Sequence, residues 1–218
     1  MKAEVIDLEF VTFLSNVVWH PLDLLVSLTN QLGTGTYWVL FCLVFLESGM
    51  LIFSFIPGQS LLFMGGSIAA SPHSVLNIWG LILMFTVAAT AGSAVKYWTA
   101  VRWQGVQDHL VRHLPDKKVA EANAVFKRNQ KETLIFGRFI PFVGLFLPVL
   151  AGSADMGWHQ FRFENLVGSL IWVVSCCAVG FFFGNSPFIR ANFTWLFIII
   201  LILPVAVRQI WTIVRKKG

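Results

Sequence analysis

The charged positions of this chain cluster, and long apolar stretches separate the clusters. No charge interrupts Val75 to Val95, and none interrupts Asn165 to Ile189. Ala191 to Val207 is uncharged between Arg190 and Arg208, with Trp195 and Trp211 near its ends as interfacial anchors. About 20 apolar residues carry a helix across roughly 30 Å of hydrocarbon. These patterns predict spanning helices over 75–95, 163–189 and 191–214.

Two other apolar stretches are interrupted. Residues 36–71 hold Glu47 and then Pro57-Gly58. Residues 133–156 hold Arg138, Pro141, Gly144, Pro148 and Gly152. Proline removes a backbone donor and breaks a helix, and glycine permits a sharp reversal. Broken backbone at membrane depth persists only where protein or water satisfies it. Each stretch therefore reads as a re-entrant hairpin, with Pro57, Gly58, Pro141, Gly144 and Pro148 at the breaks. The alternative is two kinked spanning helices.

Charge distribution sets the topology. Residues 96–131 carry Lys96, Arg102, Arg112, Lys117, Lys118, Lys127, Arg128 and Lys131 against Asp108, Asp116 and Glu121. The C-terminal end carries Arg208, Arg215, Lys216 and Lys217. The positive-inside rule assigns both to the cytoplasm. An even number of crossings must separate them, which holds when 133–156 enters and leaves on one side. Residues 96–131 read as a basic amphipathic segment on the membrane surface, with Val119, Ala122, Val125 and Phe126 on its apolar side. Residues 1–35 read as an interfacial segment. Met1 to Glu9 holds one lysine and three acids, so a cleavable signal is not expected.

Composition agrees. Only 12% of the 218 residues are charged, 56% are hydrophobic, and the mean hydropathy is +0.73. A soluble domain cannot hide so much apolar surface, and disorder needs the opposite composition. The expected class is an all-α integral membrane protein with about three spanning helices, two re-entrant hairpins and interfacial amphipathic helices. The net charge of +5 reports topology and not nucleic-acid binding. Cys42, Cys176 and Cys177 lie in apolar runs and read as small packing residues.

The halves echo each other. Asn77, Gly80, Gly92 and Arg102 recur as Asn165, Gly168, Gly180 and Arg190, each 88 residues later. Glu47 and Pro57 recur in spacing as Arg138 and Pro148. An inverted repeat of hairpin plus span is a transporter pattern, with the site at the repeat interface.

Glu47 and Arg138 are the charges inside the hairpin runs. One reading has them facing a polar cavity, where Glu47 exchanges a proton and Arg138 holds an anionic group. The other makes them a structural ion pair, or an Arg138 that snorkels to the headgroups. Pro57-Gly58-Gln59-Ser60 starts a short helix whose N–H groups favour an anion, with Ser60 also suited to capping. Gly65-Gly66 and Ala151-Gly152-Ser153 suit close helix packing. His109 and His113 have metal-ligand spacing but lack a third ligand, so no metal or other cofactor is expected. No nucleophile triad, Walker loop or dinucleotide fingerprint is present, so the expectation is not an enzyme.

Phe45-Leu-Glu-Ser-Gly-Met, followed by Phe55-Ile-Pro-Gly-Gln-Ser-Leu-Leu-Phe, resembles the first motif of bacterial DedA-family membrane proteins. Gly137-Arg-Phe-Ile-Pro-Phe-Val, Pro148-Val-Leu-Ala-Gly-Ser, Phe161 and Asn165-Leu-Val-Gly-Ser-Leu-Ile-Trp resemble the second. The likeness covers about residues 35–215. The family belongs to a superfamily with the eukaryotic VTT-domain lipid scramblases and the SNARE-associated Golgi proteins. The resemblance implies two opposed re-entrant hairpins in the bacterial inner membrane and a role in moving lipids. The implied substrate is undecaprenyl phosphate or a phospholipid, with proton or sodium coupling. By this resemblance Glu47 and Arg138 match the family's hairpin glutamate and first arginine, and Pro57, Gly58 and Pro141 also match. Gln59 stands where the family has an acid, Gly144 where it has a second arginine, and Ser93 where it has an aspartate. Two rivals follow from these departures: an ion-coupled small-solute carrier and a paralogue without transport.

Overall fold

A computed structural model describes residues 21–53, 58–102, 126–139, 143–154, 156–183 and 186. Among these the chain is helical. Helix α1 spans Pro21–Leu32, and a 3-10 turn at Gly33–Gly35 passes directly into α2, Thr36–Gly49. Met50 is extended, which ends α2, and a second 3-10 turn covers Leu51–Phe53. Helix α3 spans Gly58–Ala69 and α4 spans Ile78–Arg102. The next helix, α5, is Gln130–Phe136, continued by a 3-10 turn at Gly137–Phe139. Helix α6 is Val143–Ser153, and α7 is Trp158–Phe183.

Three stretches are long and apolar enough to cross a membrane: Leu25–Gly49, Ile78–Arg102 and Trp158–Phe183. Two of them correspond to the expected spans at 75–95 and 163–189. The first does not, because Leu25 to Leu32 was expected to lie at the interface and Thr36 to Gly49 to form a short hairpin arm. Gly33, at a positive φ of 54°, joins the two helices without ending the helical rod. The third expected span, 191–214, lies outside the described residues, as do residues 1–20, Pro57, 103–125 and Pro141.

Helix α4 starts at Asn77, whose Oδ1 accepts from the backbone N–H of Trp79 at 2.9 Å and of Gly80 at 3.3 Å. The backbone N–H of Asn77 donates to the Tyr37 hydroxyl at 2.6 Å, which fixes the start of α4 beside the start of α2. Helix α4 ends at Arg102, a cation placed where the helix dipole favours it. Lys96, expected to open the cytoplasmic segment, is therefore inside the helix.

Packing follows an exchange. The arm α2 lies along α4, the long helix that follows it, and α5 lies along α7 in the same way. The second arms cross over: α3 packs on α7, and α6 packs on α4. The α3–α7 crossing is a backbone contact. A Cβ at Gly66 would overlap the Cys177 carbonyl, and one at Gly180 would overlap the Phe63 carbonyl. On α4, a Cβ at Gly92 would lie 2.7 Å from the Phe45 carbonyl oxygen. Gly152 of α6 meets α4 as closely, with its Cβ position 2.8 Å from the Tyr97 carbonyl oxygen.

Two apolar clusters fill the interior. The larger joins α2, α3, α4 and α7 around Leu40, Val44, Leu62, Leu81, Phe85, Val173 and Cys177. The smaller joins Tyr97, Phe126, Leu134, Leu147 and Phe161. Phe126 thus belongs to the core and not to a membrane-surface face. Trp38, Trp79 and Phe182 point outward and are about three-quarters exposed, as lipid-facing side chains would be. Cys42 is exposed, so only Cys177 of the three cysteines is a fully buried packing residue.

Two expectations about breaks and repeats change. Helix α6 continues through Pro148, which therefore is not a break. The 88-residue offset also does not match equivalent positions. Asn77 caps α4, whereas Asn165 lies well inside α7, and α7 begins 80 residues after α4.

Candidate functional site

Three charged side chains converge where the short helices meet α4. Glu47, near the end of α2, is 9% exposed, and Lys96 on α4 is 4% exposed. Ser48 Oγ donates to Glu47 Oε2 at 3.0 Å. Lys96 Nζ donates to the Glu47 carbonyl oxygen at 2.9 Å. The carboxylate lies against the first residue of α3: a Cβ at Gly58 would be 3.0 Å from Glu47 Oε2. A side chain at 58 would press on the carboxylate. The α3 N-terminus, expected to await an anion, thus already faces an acid of the same chain.

Arg138 sits in the 3-10 turn after α5 and reaches between the two long helices. One nitrogen, Nη2, donates to Ser93 Oγ of α4 at 2.8 Å and also to Asn165 Oδ1 of α7. Asn165 Nδ2 in turn donates to the Thr90 carbonyl of α4 at 3.1 Å. Arg138 is therefore a clasp between α4 and α7. Gly144 lies against it, with its Cβ position 3.0 Å from the Arg138 Cα. A side chain at 144 would crowd the backbone that aims the guanidinium.

Glu47 and Arg138 share no ion pair among the described residues. They attract one another at longer range, and Lys96 attracts Glu47 more strongly. Lys96 and Arg138 repel. Arg138 does not snorkel; its bonds run inward to α4 and α7.

The other sequence candidates are placed as follows. Gln59 is half-buried in the first turn of α3. Ser60 is the third residue of α3, and its buried Oγ has no partner among the described residues, so it does not cap. Pro148 is buried in α6, and Pro57 and Pro141 lie outside the described residues.

Sequence reasoning missed Lys96, Ser93 and Asn165 as site residues. Lys96 falls three positions after Ser93 and six before Arg102, and a helix running through to Arg102 puts it inside. Asn165 carried a signal too: a polar residue at the start of a long uncharged run. A second buried acid, Glu164, precedes it and accepts from Gln160 Nε2 at 3.2 Å. Below the clasp, Tyr97 stacks on Phe161 at 4.3 Å and donates to the Met156 carbonyl at 2.5 Å.

Long apolar helices wrapped by short broken ones, with three charged side chains between them, define an integral membrane protein. Residues 56–184 match the VTT domain. The chain is 30% identical to Protein DedA of Escherichia coli K12, over 97% of each chain. It is 33% identical to Inner membrane protein YqjA of the same strain, over 91% of this chain and 90% of that one. It is 34% identical to Inner membrane protein YghB of Salmonella typhimurium LT2, over 78% of each. No solved structure matches it. The chain belongs to the DedA family of VTT-domain membrane proteins.

Proposed function

We propose that this protein moves an anionic lipid, undecaprenyl phosphate or a phospholipid, from one leaflet of the bacterial inner membrane to the other. The observation that carries the reading is the charge of the cluster. Lys96 is buried and Arg138 is half-buried, and Glu47 is the acid they attract. An unbalanced charge in an apolar interior is costly, so the cluster favours an anionic guest. A lipid phosphate beside Arg138 balances it, and guanidinium suits phosphate geometry.

Several further features support the reading. Each short arm ends in a break, and the second arms exchange long helices, as two inverted hairpin units would. Two relatives are named inner membrane proteins. By the positive-inside rule the basic segments favour a cytoplasmic C-terminus. Glu47 is the acid available for exchange with protons or sodium ions, and Gln59 and Ser60 line the α3 start beside it. The activity involves transport without covalent chemistry.

The test is lipid movement in proteoliposomes. Purified protein is reconstituted with labelled undecaprenyl phosphate or labelled phospholipid, and leaflet exchange is followed. Movement by the wild type that is lost in Arg138→Ala, with the variant shown to be folded, is the expected result. Absence of movement for every label by folded wild-type protein contradicts the reading.

A further inference from the structure

Four helical hydroxyls of this protein are bonded to their own backbone. Thr29, Thr99, Ser153 and Ser175 each donate to the carbonyl four residues earlier, at 2.7–2.8 Å. Such bonds are the ordinary solution for a hydroxyl in an apolar helix. Besides Thr36, Ser60 and Glu164, one group of buried polar atoms has no such partner among the described residues. It comprises Thr86 and Thr90 on α4, Ser169 and Trp172 on α7, and Ser67 on α3.

These five are not scattered. Thr86, Thr90 and Ser93 share one face of α4 by helical spacing, as Asn165, Ser169 and Trp172 share one face of α7. The faces meet, because α4 packs on α7, Asn165 Nδ2 bonds the Thr90 carbonyl, and Arg138 bridges Ser93 and Asn165. Helix α3 closes the seam: Gly65 packs against Phe85 of α4 and Gly66 against Cys177 of α7, with Ser67 following, fully buried. Thr86 is 6% exposed, Ser169 0% and Trp172 5%. The orphan groups thus extend from the Arg138 clasp for about 10 Å along the helices.

Orphaned buried polar groups are rare, and buried water is their usual partner. We propose that a file of ordered water molecules occupies this α3–α4–α7 seam and keeps Arg138 hydrated from within the protein. The donor set selects water. Hydroxyls both donate and accept, whereas the Trp172 indole only donates. A cation is disfavoured by that indole N–H and by Arg138 at the end of the file. The proposal is independent of what the protein transports.

Two readouts test it. In a dry seam, Thr86→Val and Ser169→Ala remove an orphan and raise the thermal midpoint. In a hydrated seam each loses a water hydrogen bond, and the midpoint falls by about 2–4 °C for a chain of this size. Thr86→Cys and Ser169→Cys are then treated with methyl methanethiosulfonate, which needs an ionised, hydrated thiol. Labelling at both positions, above that of the wild-type cysteines and of Ala88→Cys in the dry core, is expected. A midpoint that rises or does not move, or seam cysteines no more reactive than Ala88→Cys, overturns the proposal.

Discussion

The two short-helix pairs hold their charges in different ways. Glu47 is satisfied close to home: the next residue, Ser48, bonds its carboxylate, the start of α3 lies against it, and Lys96 reaches its carbonyl. Arg138 is satisfied far from home, by Ser93 and Asn165 on two different long helices. The acid stabilises one hairpin-like unit. The arginine ties the halves together. A change at Glu47 should therefore act locally, and a change at Arg138 should be felt by the α4–α7 interface.

The comparison can be broken most severely at the crossing that holds the halves together independently of charge. Gly180→Leu forces a side chain into the Phe63 backbone. Overpacking of this kind costs about 3 kcal/mol, so the variant should show a large loss of thermal stability in detergent and low yield of monodisperse protein. A smaller effect of greater diagnostic value comes from Asn165. Asn165→Leu removes the acceptor for Arg138 and strands the Thr90 carbonyl, and should cost about 1–3 kcal/mol in unfolding measurements. Asn165→Asp keeps the shape and supplies Arg138 with its own counter-charge. It loses the bond from Nδ2 to the Thr90 carbonyl, so it should lose part of the stability that Asn165→Leu loses while abolishing lipid movement.

At the acid end, Lys96→Met removes the cation over Glu47 and its bond to the carbonyl. A loss of about 1–2 kcal/mol is expected, with the α4–α7 contacts unchanged by cross-linking. The smallest effect is Tyr97→Phe, which removes one hydrogen bond to Met156 and keeps the stacked ring. Roughly 1 kcal/mol should be lost, with lipid movement intact. Equal effects at the two ends would erase the distinction between a local acid and a bridging arginine.

The long helices were legible because lipid imposes a simple rule: a charge-free run of sufficient length between polar ends. That rule located α4 and α7, with ends three to seven residues from those observed. It misplaced Lys96, since a charge after an apolar run looks like the end of a span, and helix continuity to Arg102 is a three-dimensional fact. The first rod, Leu25 to Gly49, was split in reading because Gly33 and Gly35 look like a boundary, yet the 3-10 turn there preserves helical direction. Pro148 looked like a break, but Gly144, four residues earlier, opens α6 where a kink is tolerated. Glu47 and Arg138 stood out as isolated charges. Their partners Ser93 and Asn165 did not, because a small polar residue in an apolar helix has many ordinary explanations. The residues matched at an offset of 88 do not fall at equivalent places in α4 and α7, because residue identity alone does not fix a position along a helix.

The central claim is that the cluster of Lys96, Arg138 and Glu47 receives a lipid phosphate. The most direct measurement compares two lipids with the same tail in the same proteoliposomes: undecaprenyl phosphate and undecaprenol. The account predicts that wild-type protein accelerates leaflet exchange of the phosphate and leaves the alcohol at the protein-free rate. Equal acceleration of both would contradict it, because the tail and not the charge would then be what the protein recognises.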